Sequence, residues 1–147
     1  MVAHEQAGIA DLASAIFEAI KAKTALYPQI KGCLFEREPE EGQELPCLVV
    51  RMLEGDPAAR RYLDGHTLGR FAFACELYER AGDDAARLSA RETLSLLAVD
   101  LAGQGMHLGS DGPVANVRLT GAPTAQLLES GATAWKVTLE IHYLVQR

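Results

Sequence analysis

Aromatic residues are scarce in this 147-residue chain, at 6% with a single Trp, and no apolar run approaches the roughly 18–20 residues of a membrane-spanning helix. The opening residues Met1-Val2-Ala3-His4-Glu5-Gln6 lack the basic start and apolar stretch of a secretory signal. Cysteine is sparse and odd in number. Cys33, Cys47 and Cys75 contain no CxxC pair, which argues against a disulfide framework or a thiolate zinc site and for a reduced, cytoplasmic setting. Basic residues are outnumbered, 14 Lys and Arg against 20 Asp and Glu, for a net charge of −6. Such a balance argues against a nucleic-acid surface built on bulk electrostatics, because phosphate contacts require a basic footprint, though it leaves room for a local basic patch. Arg60-Arg61 is the one adjacent basic pair.

Motifs that carry chemistry are missing too. His4, His66, His107 and His142 fall at the terminus, in a turn, in a loop and on a strand, with no i, i+4 spacing, and solvated side chains are expected for all four. Neither a P-loop nor a Gly-x-Ser-x-Gly elbow occurs, and the glycines at 103, 105, 109 and 112 follow a helix instead of opening one after a strand. Asp56 and Asp64 belong to turns and Asp83 and Asp84 to a helix start, so together with Glu76 and Asp100 they do not form a converging metal set. No catalytic residue, metal ligand or cofactor site is expected, and the chain reads as a non-enzyme.

What is present is strong patterning. At 48% hydrophobic and 23% charged, the composition is that of a folded globular chain, and with no repeat or linker in it residues 1–147 read as a single domain. Ile9, Leu12, Ala13, Ile16 and Ile20 recur at helical spacing from Gly8 to Thr24, and Tyr27-Pro28 ends that helix. A short strand is expected near Gly32–Glu36. The acidic loop Glu36–Glu44 follows, with Glu38, Glu40 and Glu41 at its centre. Cys47–Glu54 is an apolar strand. Asp83 or Asp84 caps a second helix whose stripe is Ala86, Ala90, Leu94, Leu97 and Leu101, stopping at Gly103. Val114–Thr120 is a strand ended by Gly121-Ala122-Pro123. In the closing segment Trp135, Val137, Leu139, Ile141, Tyr143 and Val145 alternate with Lys136, Thr138, Glu140, His142, Leu144 and Gln146, the period of a half-buried strand. Two amphipathic helices over one face of a mainly antiparallel sheet of four to five strands make an α+β sandwich of two layers.

The richest stretch runs from Gly55 to Tyr78. Gly55-Asp56-Pro57 is expected to break the preceding strand, and Asp64-Gly65 to reverse the chain. Phe71, Phe73, Cys75 and Leu77 then face one way and Arg70, Ala72, Ala74 and Glu76 the other, with Cys75 acting as a small hydrophobe. Asp56, Pro57, Tyr62, Leu63, Asp64, Gly65, Phe71, Phe73, Ala74, Tyr78 and Asp83 together resemble the minor capsid or tail-terminator-like proteins of tailed phages and prophages. Cys75-Glu76 departs from the Ser-Arg common in that family, and the second helix lacks its aromatic and Asn residues.

The resemblance implies a structural assembly protein, a homo-oligomeric ring, probably hexameric, that caps the tail tube and joins it to the head connector. Its partners would be further copies of itself, the major tail tube protein and a head–tail connector protein, with no membrane and no specific nucleic acid. Its place would be the virion, after assembly in the host cytoplasm. Contacts are expected in the loops 36–44, 55–66 and 104–113, with Glu38, Glu40, Glu41, Arg60, Arg61, Tyr62, Asp64 and His66 as the candidate surface. The competing reading from the residues alone is a non-enzymatic adaptor or small-ligand module with a pocket between helices and sheet.

Overall fold

A computed structural model of the chain describes residues 2–61, 67–80, 82–107, 114–129 and 131–145. Helix α1 spans Val2–Thr24 and buries Ile16 and Ile20 completely. Its end is closed by the Thr24 hydroxyl, which donates to the Lys21 carbonyl at 2.7 Å. Strands β1 (Cys33–Phe35), β2 (Cys47–Arg61) and β3 (Thr67–Glu79) follow. Helix α2 (Asp84–Gln104) starts where the Asp83 carboxylate accepts the Ala86 amide at 2.9 Å, the capping role read from the sequence. It runs one residue past the expected stop and ends at Gly105, whose φ of 73° suits a residue without Cβ. Strands β4 (Met106–His107), β5 (Val114–Leu119), β6 (Thr124–Leu127) and β7 (Thr133–Val145) complete the chain.

The strands form one sheet in the order β1-β2-β3-β7-β5-β4, with β6 beside β7. Only β1–β2 is parallel among the six pairings. Both helices contribute to one apolar cluster on a single face. Ile16 and Ile20 of α1 and Ala90, Leu94, Leu97 and Leu101 of α2 meet Leu48, Val50, Phe73, Leu77, Val137, Leu139 and Ile141 of the sheet. At their ends the helices are tied together by Asp100, which accepts from the Tyr27 hydroxyl at 3.1 Å and lies 3.6 Å from the Lys23 ammonium. The two-layer α+β architecture is as the periodicities indicated.

Three expectations need correction. The sheet has seven strands, not four to five, because β4 is only two residues long and β6 has no buried face to show an alternating pattern. Gly55-Asp56-Pro57 does not end β2. The register moves from Met52↔Phe73 to Gly55↔Phe71, and again from Asp56↔Arg70 to Arg60↔Leu68. The extra residues are absorbed as irregularities, where glycine and proline are tolerated within a strand. Ala86 of the expected α2 stripe is exposed, leaving Ala90 as the first buried member. The reversal expected at Asp64-Gly65 lies outside the described residues.

A second irregularity shapes the far edge. Leu119 pairs with Leu139 and Thr124 with Lys136, so β5 and β6 run along the same side of β7 with surplus residues at Thr120–Pro123. Thr120 keeps the ladder continuous there by donating its amide and its hydroxyl to the Thr138 carbonyl, at 3.1 and 2.7 Å.

Phe73 is fully buried at the centre of the cluster. Phe73→Ala is expected to lower the unfolding free energy by about 3–5 kcal/mol in urea titrations. A loss below about 1 kcal/mol would place the core elsewhere.

Candidate functional site

The alternation that buries one face of the sheet sends a polar set to the other, which no helix covers. Across it, the Arg51 guanidinium on β2 donates through Nε to Glu76 Oε1 on β3 at 2.6 Å, and the Tyr78 hydroxyl donates to the same oxygen at 3.2 Å. This contact holds the Arg51 guanidinium even more firmly protonated than usual. The Tyr78 phenol is pushed up, by burial first, with Arg51 opposing that shift. Further along, Glu140 on β7 accepts from Arg70 Nη1 on β3 at 3.3 Å and lies 3.2 Å from His142 Nε2. Arg118 on β5 is the register partner of Glu140, and Lys136 on β7 that of Glu76. One end of the face is covered by Leu34 of β1 and by the loop residues Leu45 and Leu128, which pack on Val49, Tyr78 and Ala134.

On the helix side, a recess of about 280 Å³ lies at the start of α2, lined by Leu45, Pro46, Leu77, Glu79, Ala90 and Thr93 among others. Glu79 is 4% exposed, and its Oε1 accepts the Trp135 indole N–H at 3.3 Å. Burial pushes its carboxyl above the usual range, and the indole bond and nearby Arg87 only partly offset this.

Chemistry of other kinds has little to work with among the described residues. The three cysteines are free thiols. Burial drives Cys33 up to about 11 and raises Cys47 and Cys75 as well, so none is a ready thiolate at neutral pH. No group of three or more His, Cys, Asp or Glu side chains is placed to hold a metal ion among the described residues. No helix is long and apolar enough to cross a membrane among them either.

The residues singled out from the sequence do not form one patch. Glu38, Glu40 and Glu41 are exposed in the loop between β1 and β2. Arg60 and Arg61 lie at the opposite end of β2, on the order of 40 Å away along an extended strand. Tyr62, Asp64 and His66, the side chains of Arg60 and Arg61, and most of the loop 104–113 lie outside the described residues. His107 is on β4, not in a loop. His142 is half-buried beside Glu140 and not freely solvated. The polar ladder was overlooked as a unit. Its members show in sequence as the second set of an alternating strand, but their partners depend on register, which periodicity does not encode.

No family model matches the chain, and no curated protein matches it. Among solved structures it is similar to a chain of the virion of a native gene transfer agent particle. The identity is 14% and the TM-score 0.56, with 89% of this chain and 96% of that chain covered. That likeness is one of fold. A second solved chain, 11% identical over 92% of this chain, has a TM-score of 0.46 and adds no weight.

Glu79 supplies a pH test of the recess. A carboxyl raised in the folded state binds protons more tightly there than in the unfolded chain. Its contribution to stability is therefore present at low pH and is lost as pH rises through the folded value. Glu79→Gln removes this dependence and should be at least as stable as the parent at pH 7.5, but less favourable relative to it at pH 4. Urea midpoints at the two pH values measure it, and an unchanged difference between them would contradict the desolvated carboxyl.

Proposed function

We propose that this chain is a structural assembly protein of a tailed phage, a prophage or a phage-derived particle. In this reading it forms a ring that caps the tail tube and joins it to the head connector. The observation that carries it is the fold shared with a gene transfer agent virion chain over nearly the full length of both. The resemblance of the 55–78 segment to tail-terminator-like proteins points the same way and supplies the finer detail of ring, tail tube and connector.

The physical requirements of such a role agree with the molecule. A ring needs two different surfaces on each copy, related by a rotation that closes, and it needs no catalytic pocket. An uncovered polar sheet face, an exposed acidic loop and a sheet edge at β6 with every side chain exposed are surfaces of that type. Its partners in this reading are further copies in the hexamer that the resemblance implies, the major tail tube protein and a connector protein, and its place is the virion. The rival ligand-module reading has the recess beside Glu79 as its site. Its lining mixes apolar groups with Gln29, Glu79, Arg80, Ser89 and Thr93, and the Glu79 carboxylate is already engaged by the Trp135 indole.

Deletion of the gene in a producing strain, followed by electron microscopy of the particles, tests the proposal. Tails of irregular length, or tails and heads that fail to join, are expected, with recovery on complementation. Head-joined tails of normal length in the deletion strain would overturn it.

A further inference from the structure

We propose that the acidic loop 36–44 of one copy docks on the cationic corner of the uncovered sheet face of a second copy, around Arg70, Arg118 and His142. This rests on the assembly role proposed above and names the contact that would build the ring.

Among the described side chains the corner holds more base than acid. Glu140 is its one described carboxylate, and both of its oxygens are already engaged, Oε2 by Arg70 and Oε1 by His142. Arg118, across the ladder from Glu140, is exposed and makes no ion pair among the described residues. Lys136 repeats the situation four residues from Glu140 along β7, because its register partner Glu76 is held by Arg51 and Tyr78. Among the described strand side chains, this face carries four basic groups (Arg51, Arg70, Arg118, Lys136) against two acidic ones (Glu76, Glu140). It is net positive on a chain whose net charge is −6.

The complement lies on the same molecule but out of its own reach. The loop 36–44 holds five glutamates and one arginine. Glu38, Glu40, Glu41 and Glu44 are exposed and make no ion pair among the described residues. The loop joins β1 to β2 at one edge of the sheet, while Arg118 lies on β5 at the other. Four strand spacings separate β1 from β5, about 19 Å. This is roughly twice the screening length of ~8–10 Å at physiological salt, so one copy does not satisfy its own excess charge. A second copy can. The two patches differ, so the contact is head-to-tail, the type that closes into a ring. Charge complementarity of this kind sets orientation and encounter rate, and apolar contact supplies the rest. Phe35, beside the acidic loop, is an exposed apolar side chain placed to contribute to it.

Charge reversal with rescue tests the contact. Arg70→Glu with Arg118→Glu should weaken self-association at least about tenfold in sedimentation and block complementation of the deletion strain. Glu38→Lys with Glu40→Lys and Glu41→Lys should do the same. A chain carrying both sets should regain association and particle assembly, and circular dichroism should show all variants folded. If each reversed chain complements as well as the parent, the docking is wrong while the assembly role stands. If folded variants are impaired singly and no better when combined, the two patches do not meet and the docking is again wrong. If the parent protein is absent from purified particles, the assembly role itself fails.

Discussion

Everything in this fold leans on the antiparallel pairing of β3 with β7, which runs unbroken from Thr67↔Val145 to Glu79↔Thr133. Two thirteen-residue strands in one continuous register fix which side chains stand on each face across the middle of the sheet. A slip of one residue would send Phe71, Phe73, Cys75 and Leu77 to solvent and Arg70 and Glu76 into the core, an exchange no domain of this size could absorb. The irregularities are confined to the outer strands. β2 takes up surplus residues beyond Met52, and the β5–β6 edge does so at Thr120–Pro123. The centre is rigid in register, and variation is pushed to the margins.

From that ladder the division of labour between faces follows. The helix side is filled by aliphatic and aromatic groups and closed by two helices that Asp100 links through Tyr27 and Lys23. The other side is left to charge pairs spaced along the strands, Arg51 with Glu76 and Arg70 with Glu140. Paired charges let a sheet face stay in water without a covering layer, because each group is both solvated and partnered.

Most of this was legible in the sequence because it is periodic. The stripes of α1 and α2 and the alternation of β3 and β7 each repeat often enough to outweigh local exceptions. Asp83 announced the start of α2 by its position before the apolar stripe. The failures came where a local signal met a tertiary answer. Gly55-Asp56-Pro57 is punctuation by local rules, yet pairing with Arg70 and Phe71 carries the strand through it. Thr124–Leu127 shows no buried face at all and exists as a strand only because β7 is there to pair with. The polar face was visible residue by residue but not as a set of partners. Arg51 and Glu76 are far apart in the chain, and only their neighbouring strands bring them to 2.6 Å. His142 is different, since its partner Glu140 stands two residues before it on the same face of the strand, a pairing the alternation itself implies.

Ala72 and Ala74 are buried on the side of the sheet that has no helix above it, Ala74 completely. Ala74 lies between Arg51 and Thr138 across the ladder, with Glu76 next to it on the same face of the strand, so its cover is the Arg51 and Glu76 stems and the Thr138 side chain. Here the ion pairs act as a thatched roof, with methylene stems shedding water from the methyl groups beneath while the charged tips stay wet. Because Arg51 and Glu76 are themselves only 27% and 13% exposed, salt screens this pair less than a fully solvated one, and the cover is set by burial more than by ionic strength.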